Sequence, residues 1–216
     1  MKLDATPNVA PRPGGAMTGA VQRVNEGARA LLTEHFLALP AEDRRLRFGA
    51  SLSAEAIAEY VDRIDFERDT VFGVFDDDLS LIGVAHTAFG EDFAELGISV
   101  LPAHRGRGAG SALFARAAEH VRNRSIANLL MHCLAENAAI MHIARKSGMH
   151  IVAASGDADA HLSLLPASPA SISGELLTDG VALYDYALKT HIAAWKAVAA
   201  AWAGAAAKLE GAPPAS

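Results

Sequence analysis

The chain has 216 residues, of which 51% are hydrophobic, and its formal net charge is −6 at pH 7. This length and apolar content suit one folded domain with appendages and exclude a chain that is disordered throughout. The acidic balance argues against nucleic acid as the main partner, because binding to a phosphate backbone relies on a basic surface.

The remaining composition predicts a cytoplasmic protein without a membrane segment. The single cysteine, Cys133, permits no disulfide within the chain, which suits a reducing compartment. No apolar run approaches the roughly 20 residues that a membrane-spanning helix needs, and the N-terminus lacks the apolar core of a signal peptide. Residues 1–20, rich in Pro, Gly and Thr, are expected to form a disordered tail.

The first predicted elements are helices. Residues Glu26–Leu39 have a helical pattern that ends before Pro40, and Ala41–Arg47 form a short charged turn or a second helix. Ser53 is a suitable N-cap for a further helix, which carries Ile57 and other apolar residues on one face.

Strands then dominate the predicted order. Two β-branched, apolar runs separated by three aspartates predict a β-hairpin, and a third strand follows. The expected elements from here on are strands Thr70–Phe75, Leu79–Phe89 and Phe93–Leu101, a helix Gly110–Arg124, a strand Asn128–Leu134 with a helix after it, and an antiparallel pair Ile151–Ala154 and Ala160–Leu164.

The most informative stretch lies where the third strand meets the helix that follows it. After Pro102, Arg105 and Arg107 alternate with Gly106, Gly108 and Gly110. This order places unshielded backbone N–H groups and positive charge at a helix N-terminus, which is where a phosphate group is most readily held.

Two common phosphate-binding motifs are excluded by the residues present. A dinucleotide fingerprint needs a third glycine where Ser111 stands and a carboxylate about 20 residues further on, which is absent around Ile126. A P-loop ends in a lysine followed by Ser or Thr, and no lysine lies between Lys2 and Lys146.

A second segment, Asn137–Met149, follows at a distance of one strand. Asn137 is placed to cap a helix, Arg145 and Lys146 lie in its last turn, and Gly148 supplies a left-handed end. As a well-capped helix, this segment needs no further function.

The two segments together resemble the GNAT superfamily of N-acetyltransferases. Arg105, Gly108 and Gly110 match its acyl-CoA loop, Gln/Arg-x-x-Gly-x-Gly/Ala. Asn137, Gly148 and Met149 are in register with its later Asn…Gly-Phe segment. The likeness covers about Thr70–Leu164 well and Glu34–Ile64 more loosely. Arg47 and Phe48 also resemble an Arg-Phe pair in acetyltransferase domains of bacterial protein-lysine acetyltransferases, although they could simply anchor a helix turn on the sheet.

The resemblance implies an α/β (α+β) fold. It has a mixed, mostly antiparallel sheet that splays between its fourth and fifth strands, with helices on both faces. It also implies acetyl-CoA as cosubstrate, no metal, and a primary amine of a small molecule or protein as acceptor. The residues it implies for binding the cofactor are Ile98, Val100, Leu101, Arg105, Gly106, Arg107, Gly108, Ala109, Gly110, Ser111 and Asn137.

Acetyl transfer also needs a neutral amine, and deprotonating a lysine-like amine at pH 7 costs about 4.6 kcal/mol. A base in the cleft lowers that barrier. Glu95, on the strand that leads to the glycine loop, is the first candidate, and an exposed edge glutamate is the alternative. His86 is a second candidate that is more often a hydrogen-bonded core histidine, and His104 is expected to be solvated.

The sequence departs from the family at Ala144, where many members carry the tyrosine that protonates the leaving thiolate. Cys133 and His142 are substitutes to consider, although each fits a structural role. Release of a thiolate does not require an acid, because a thiol of pKa ~8.5 can take its proton from water or from the product ammonium.

After the acetyltransferase domain, assigned to residues 21–165, a linker is expected over 166–174 and an amphipathic helix over 175–210. Apolar residues recur in steps of three or four from Leu177 to Leu209, with a break near Gly204 as one option. This stripe either docks on the parent domain or forms a homodimer, and its polar face is too weakly basic for a membrane surface.

Two other classes of function stay open at this stage. The chain could be a catalytically silent sensor that binds acyl-CoA, which Ala144 would suit. It could also be an interaction protein that works through its C-terminal helix.

Overall fold

The computed structural model describes the backbone of residues 19–210 and the side chains of residues 19–202. Most of the tail expected over residues 1–20 lies outside this range. The strands are β1 Val21–Val24, β2 Thr70–Phe75, β3 Leu81–Phe89, β4 Phe93–Val100, β5 Asn128–Leu134, β6 His150–Ala154 and β7 Asp157–Ser163. The helices are α1 Arg29–Ala38, α2 Ala41–Phe48, α3 Ala54–Asp62, α4 Ala109–Asn123, α5 Ala138–Lys146 and α6 Pro169–Glu210.

The seven strands form one sheet in the order β1-β2-β3-β4-β5-β7-β6. Every neighbouring pair is antiparallel except β4 and β5, which run parallel because α4 crosses over between them. The α/β fold with a mostly antiparallel mixed sheet is therefore confirmed.

The sheet splays between β4 and β5. Their pairing covers only Phe93–Glu95 against Asn128–Leu130, although both strands continue beyond it. The second half of β4 therefore presents an unpaired edge to the gap between the two strands.

Helices cover both faces of the sheet. Helices α4 and α5 enclose one buried cluster, with Leu113 and Met131 among its fully buried side chains. Helices α1 and α3 enclose the other cluster, around Phe36 and Ile57. Helix α2 contacts both β4 and β5 and lines the gap between them.

Local sequence signals account for most of the helix ends. The Ser53 side chain accepts a hydrogen bond from the Ala56 amide at the start of α3. Asn137 caps α5 in the same way through the Ile140 amide, and Gly148 ends that helix with a φ of 74°.

The linker expected over residues 166–174 is shorter, because α6 begins at Pro169. The Ser168 hydroxyl oxygen accepts from the Ser171 backbone N–H at 3.1 Å, and the Ser171 hydroxyl oxygen accepts from the Ser168 backbone N–H at 3.0 Å. The two bonds together form a reciprocal cap at the start of the helix. Proline at the first helical position suits this start, since its missing N–H has no partner there in any helix. The helix then continues through Gly204 without a break.

Helix α6 docks on the domain through a different face from the one that its apolar periodicity suggested. The docked face carries Glu175, Ala182 and Tyr186, of which Tyr186 packs against the Phe75 ring. The predicted stripe is largely exposed, with Leu177 and Trp195 each more than 70% accessible. Within residues 19–210, no helix combines the length and apolar character needed to cross a membrane.

Candidate functional site

A cleft of about 670 Å³ lies where β4 and β5 separate. Its walls are the end of β4, the loop after it, the first turn of α4, one side of α5 and one side of α2. Residues from these five segments that line it include Ile98, Val100, Gly106, Gly108, Ser111, Asn137, Ile143 and Arg47.

The edge of β4 offers main-chain groups to this cleft at Ile98 and Val100. In an antiparallel pair, alternate residues direct their N–H and C=O groups to the same neighbouring strand. The Leu101 amide donates to the Ile82 carbonyl of the β3 strand at 2.9 Å. By alternation, the groups of Ile98 and Val100 point away from β3, into the gap that β5 leaves open.

This geometry separates three residues that the resemblance had grouped together. Ile98 and Val100 line the cleft, whereas Leu101 does not, and its N–H is used within the sheet. A contact through the amide of Leu101 is therefore not available in this conformation.

The loop after β4 forms a cradle of backbone amides. Gly106 and Gly108 have φ values of 74° and 89°, and a Cβ at either position would meet no atom within 4 Å. Glycine is needed there for the left-handed backbone, and the space beside it is open to a ligand. The first amides of α4 add donors, because they have no carbonyl partner inside the helix.

Gly110 is a glycine for a different reason. A Cβ at this position would come within 2.9 Å of the Ile143 Cδ1 atom on α5. Its small size therefore allows α4 and α5 to pack closely behind the cradle.

The two loop arginines differ in their surroundings. Arg105 donates from Nε to the Val100 carbonyl at 3.0 Å, and its Nη2 lies 2.9 Å from Asp43 of α2. Arg105 thus ties the loop to α2, while Arg107 is exposed and does not line the cleft. Lys146, at the end of α5, also lines the cleft, although its place in the sequence indicates only a cation at a helix end.

Asn137 acts as a structural clamp at the opposite wall. Besides capping α5, its side-chain amide donates to the Leu46 carbonyl of α2 at 3.2 Å. Both ends of its side chain are thus bonded within the protein, and α2 is held against the start of α5. Its contact with a pantetheine arm stays a prediction.

Glu95 lies on β4 beside the cleft, with an exposed side chain, and is not among the residues that line it. It shares a strand face with Gly97, two residues further along. Burial lowers the pKa of His86 and the hydrogen bond to Asp159 raises the pKa of His132; the Glu95 carboxylate makes a smaller contribution that opposes the first shift and adds to the second.

His86 is half-buried in a hydrogen-bonded chain. Its Nε2 lies 3.1 Å from Asp69 and its Nδ1 lies 2.7 Å from the Tyr60 hydroxyl. Burial lowers the pKa of His86, and the nearby charge of Arg47 lowers it further, against the opposing effect of Asp69. His86 is thus a neutral group that donates to Asp69 and accepts from Tyr60.

The two substitutes for the missing tyrosine lie in different environments. Cys133 is buried in the core, with its Sγ 4.0 Å from the Met141 sulfur, and burial raises the pKa of its thiol. It does not line the cleft, whereas His142 does and is exposed. Ala144 is fully buried in the same core as Cys133.

A buried histidine supports the floor of the cleft from behind. His35 of α1 donates from Nδ1 to the Leu81 carbonyl and accepts at Nε2 from the Ser99 hydroxyl, both at 2.8 Å. Burial lowers the pKa of His35 to about 4, helped by Arg47 and opposed by the bond to Leu81.

The free energy of unfolding should therefore fall as the pH falls from about 6.5 toward 4. In this window the unfolded chain binds a proton at His35 that the folded chain rejects. We expect a loss of about 2 kcal/mol between pH 7 and pH 5 from this group. Urea titrations at both pH values should show a smaller loss for His35→Gln, and equal losses in the two proteins would contradict the assignment.

Comparisons with known proteins bear on the family and the fold. The sequence model of the Acetyltransferase (GNAT) family matches residues 25–149. A search of curated proteins found no match.

Three solved structures illustrate the shared fold. The GNAT domain of S. lividans PAT is 21% identical with a TM-score of 0.58, over 67% of this chain and 89% of that one. A putative acetyltransferase from Salmonella typhimurium, solved with its cofactor acetyl-CoA, is 14% identical with a TM-score of 0.54, over 69% and 95%. Spermidine N-acetyltransferase from Vibrio cholerae, in complex with CoA and spermine, is 17% identical with a TM-score of 0.53, over 67% and 94%.

Proposed function

This chain belongs to the acetyltransferase (GNAT) family, whose model matches more than half of it, and we propose that it transfers an acetyl group from acetyl-CoA to a primary amine. The reaction would proceed by direct attack of the amine in a ternary complex. The observation that carries this proposal is the cleft between β4 and β5, which joins an unpaired strand edge to a cradle of backbone amides.

The two parts of the cleft suit the two ends of acetyl-CoA. The main-chain groups of Ile98 and Val100 would pair with the amides of the pantetheine arm and with the thioester carbonyl. The amides from Gly106 to Ser111 would hold the pyrophosphate. Lys146 adds positive charge to the same cleft.

In the chemical step the amine nitrogen attacks the thioester carbonyl carbon, the C–S bond breaks, and CoA leaves as a thiolate. The amine loses one proton, and Glu95 would receive it, directly or through water. With alanine at position 144, the thiolate would take its proton from water, or from the protonated Glu95 through water. The products are an N-acetylated amine and CoA.

Release of free thiol from acetyl-CoA tests the proposal directly. A panel of amino acids, polyamines and lysine peptides should contain at least one amine that accelerates thiol release. Binding of acetyl-CoA without acceleration by any amine would favour the alternative, a catalytically silent acyl-CoA sensor.

The cradle predicts that Gly108→Ala weakens acetyl-CoA binding by about tenfold. Alanine at a φ of 89° is strained by about 1–2 kcal/mol, and relief of that strain would turn the amides away from the phosphates. Calorimetric titration with acetyl-CoA measures the affinity. Gly156→Ala is the matched control, since it introduces a similar strain (φ 96°) in the β6–β7 turn and should leave the affinity unchanged.

The expected homodimer through the C-terminal helix stays a prediction. Its support is the stripe of exposed apolar side chains on α6 that the domain does not cover. Within residues 19–202, the stripe includes Leu177, Val181, Tyr184, Leu188, Ile192, Trp195 and Trp202.

A further inference from the structure

The α2 helix brings a guanidinium to the cleft for which the function proposed above gives no role. Arg47 lines the cleft and covers Gly97 of β4 so closely that any side chain at position 97 would collide with it. Among residues 19–202, no carboxylate forms an ion pair with Arg47, in contrast to Arg45 and Arg105. Its Nε is buried without a hydrogen-bond acceptor in this part of the chain.

Arg47 is nevertheless held in a defined position. Its guanidinium lies 4.9 Å from the centre of the Phe48 ring and 5.9 Å from those of Phe36 and Tyr60. Its Nη2 donates to the Tyr60 hydroxyl at 3.2 Å, and that hydroxyl donates onward to His86. The aromatic rings and this chain fix the guanidinium before any ligand arrives, so ordering it on binding costs little.

The charge of Arg47 acts through the protein interior. It contributes to the lowered pKa of both His35 and His86, on two different elements, although burial is the larger cause in each case. A partly buried cation that no described carboxylate pairs with attracts an anion more strongly than a solvated surface arginine does.

The position of Arg47 relates it to the acceptor. Gly97 shares a strand face with Glu95. It immediately precedes Ile98, one of the two residues whose main-chain groups would meet the pantetheine arm and the thioester carbonyl. Alternate residues of a strand are about 7 Å apart. If the amine of the acceptor lies between Glu95 and Ile98, a group on the acceptor a few bonds from that amine would therefore reach the Arg47 guanidinium.

We propose that Arg47 binds the carboxylate of the acyl acceptor, which makes the acceptor class a short amino acid and not a polyamine. This inference rests on the proposed acetyl transfer. A guanidinium recognises a carboxylate through two parallel N–H···O bonds, whereas the second ammonium of a polyamine would be repelled by it.

The test compares acceptors that differ only in the carboxylate. Glycine, β-alanine and γ-aminobutyrate would each be assayed beside their carboxamides, with wild type, Arg47→Gln and Arg47→Lys. We expect Arg47→Gln to lower kcat/KM for at least one of the acids by about 10- to 100-fold and for its amide by less than about twofold. For each acceptor, the kcat/KM of Arg47→Gln is divided by that of wild type. In this ratio the different basicity of the amines cancels.

Two controls separate recognition from structure. Arg63→Gln removes an arginine that is 71% exposed and does not line the cleft, and it should change neither acceptor class. Arg47→Lys keeps the charge without the two-pronged geometry and should recover part of the preference for the acid. Equal losses on acids and amides, or a wild-type preference for polyamines, would overturn the inference.

A binding measurement keeps the inference separate from the proposed activity. Calorimetry with the N-acetyl amino acids and CoA reads carboxylate recognition without turnover. The inference is supported if wild type binds an N-acetyl amino acid, Arg47→Gln does not bind it, and wild type does not bind the corresponding carboxamide. If these results hold and no amine is acetylated, only the proposed acetyl transfer fails. Equal binding of N-acetyl acids and their amides, or no binding of either, would overturn the inference.

Discussion

Glu95→Gln is expected to lower kcat by about 100- to 10,000-fold at saturating acetyl-CoA and amine, the range associated with loss of a positioned general base. Glutamine keeps the size of the side chain but cannot receive the proton that the attacking amine must lose. Glu95 lies on the strand that forms the cleft edge, on the face that also carries Gly97 under Arg47. Its exposed carboxylate can be reached by an amine or by a bridging water.

Steady-state thiol release measures the change in kcat, and a calorimetric titration with acetyl-CoA measures the affinity for the cofactor. The affinity for acetyl-CoA should be unchanged, because the cradle and the strand edge are formed by other residues. Glu91→Gln, an exposed glutamate in the turn before β4, is the control and should retain full turnover. A kcat for Glu95→Gln equal to that of wild type would remove Glu95 as the base.

Arg116→Ala should lower the free energy of unfolding by about 3–5 kcal/mol, the usual cost of removing one partner from a buried ion pair. Arg116 on α4 is 4% exposed and forms ion pairs with Glu175 and Asp179 of α6. Burial raises the pKa of Glu175, but hydrogen bonds from Asn123, Arg116 and His120 outweigh it and bring the pKa to about 2. Without Arg116, a charged carboxylate would remain buried with too few donors.

Urea unfolding of the full chain at pH 7 measures this loss. Arg122→Ala on the same helix is the matched control, since its ion pair with Glu119 is 3.8 Å long and about 30% exposed on both sides. Such a pair contributes about 0–1 kcal/mol. Similar losses for the two variants would show that the Arg116 cluster does not anchor α6.

The signals that predicted elements correctly were local ones. A side chain that caps its own helix, such as Ser53 or Asn137, acts within four residues, so the sequence alone reveals it. The same holds for the left-handed Gly148 and for the three aspartates that turn the β2–β3 hairpin. Strand β1 was missed because four residues, Val21–Val24, carry too short a pattern and are stabilised by pairing with β2.

The candidate site also has one part that the local sequence predicts and another that depends on contacts between distant parts of the chain. The glycine loop could be recognised because its backbone conformation depends on its own residues. The role of Arg47 could not, since its aromatic neighbours and Gly97 come from distant parts of the chain. The face of α6 that docks on the domain could not be predicted from the sequence either. It is anchored by Glu175 and Asp179, which have the sequence pattern of solvated residues and are paired only because the fold brings Arg116 beside them.

The sequence by itself determined the family resemblance, the order of the elements that follow β1, and the cradle between β4 and α4, because each depends on residues close together along the chain. Only the tertiary structure decided which groups face the cleft. The separation of β4 from β5 selects Ile98 and Val100 over Leu101. The packing of α2 brings to the strand edge the Arg47 guanidinium, which forms no ion pair with any side chain that the structure describes. Such choices depend on burial and on charges that meet across the fold, and the spacing of residues along a chain does not encode them.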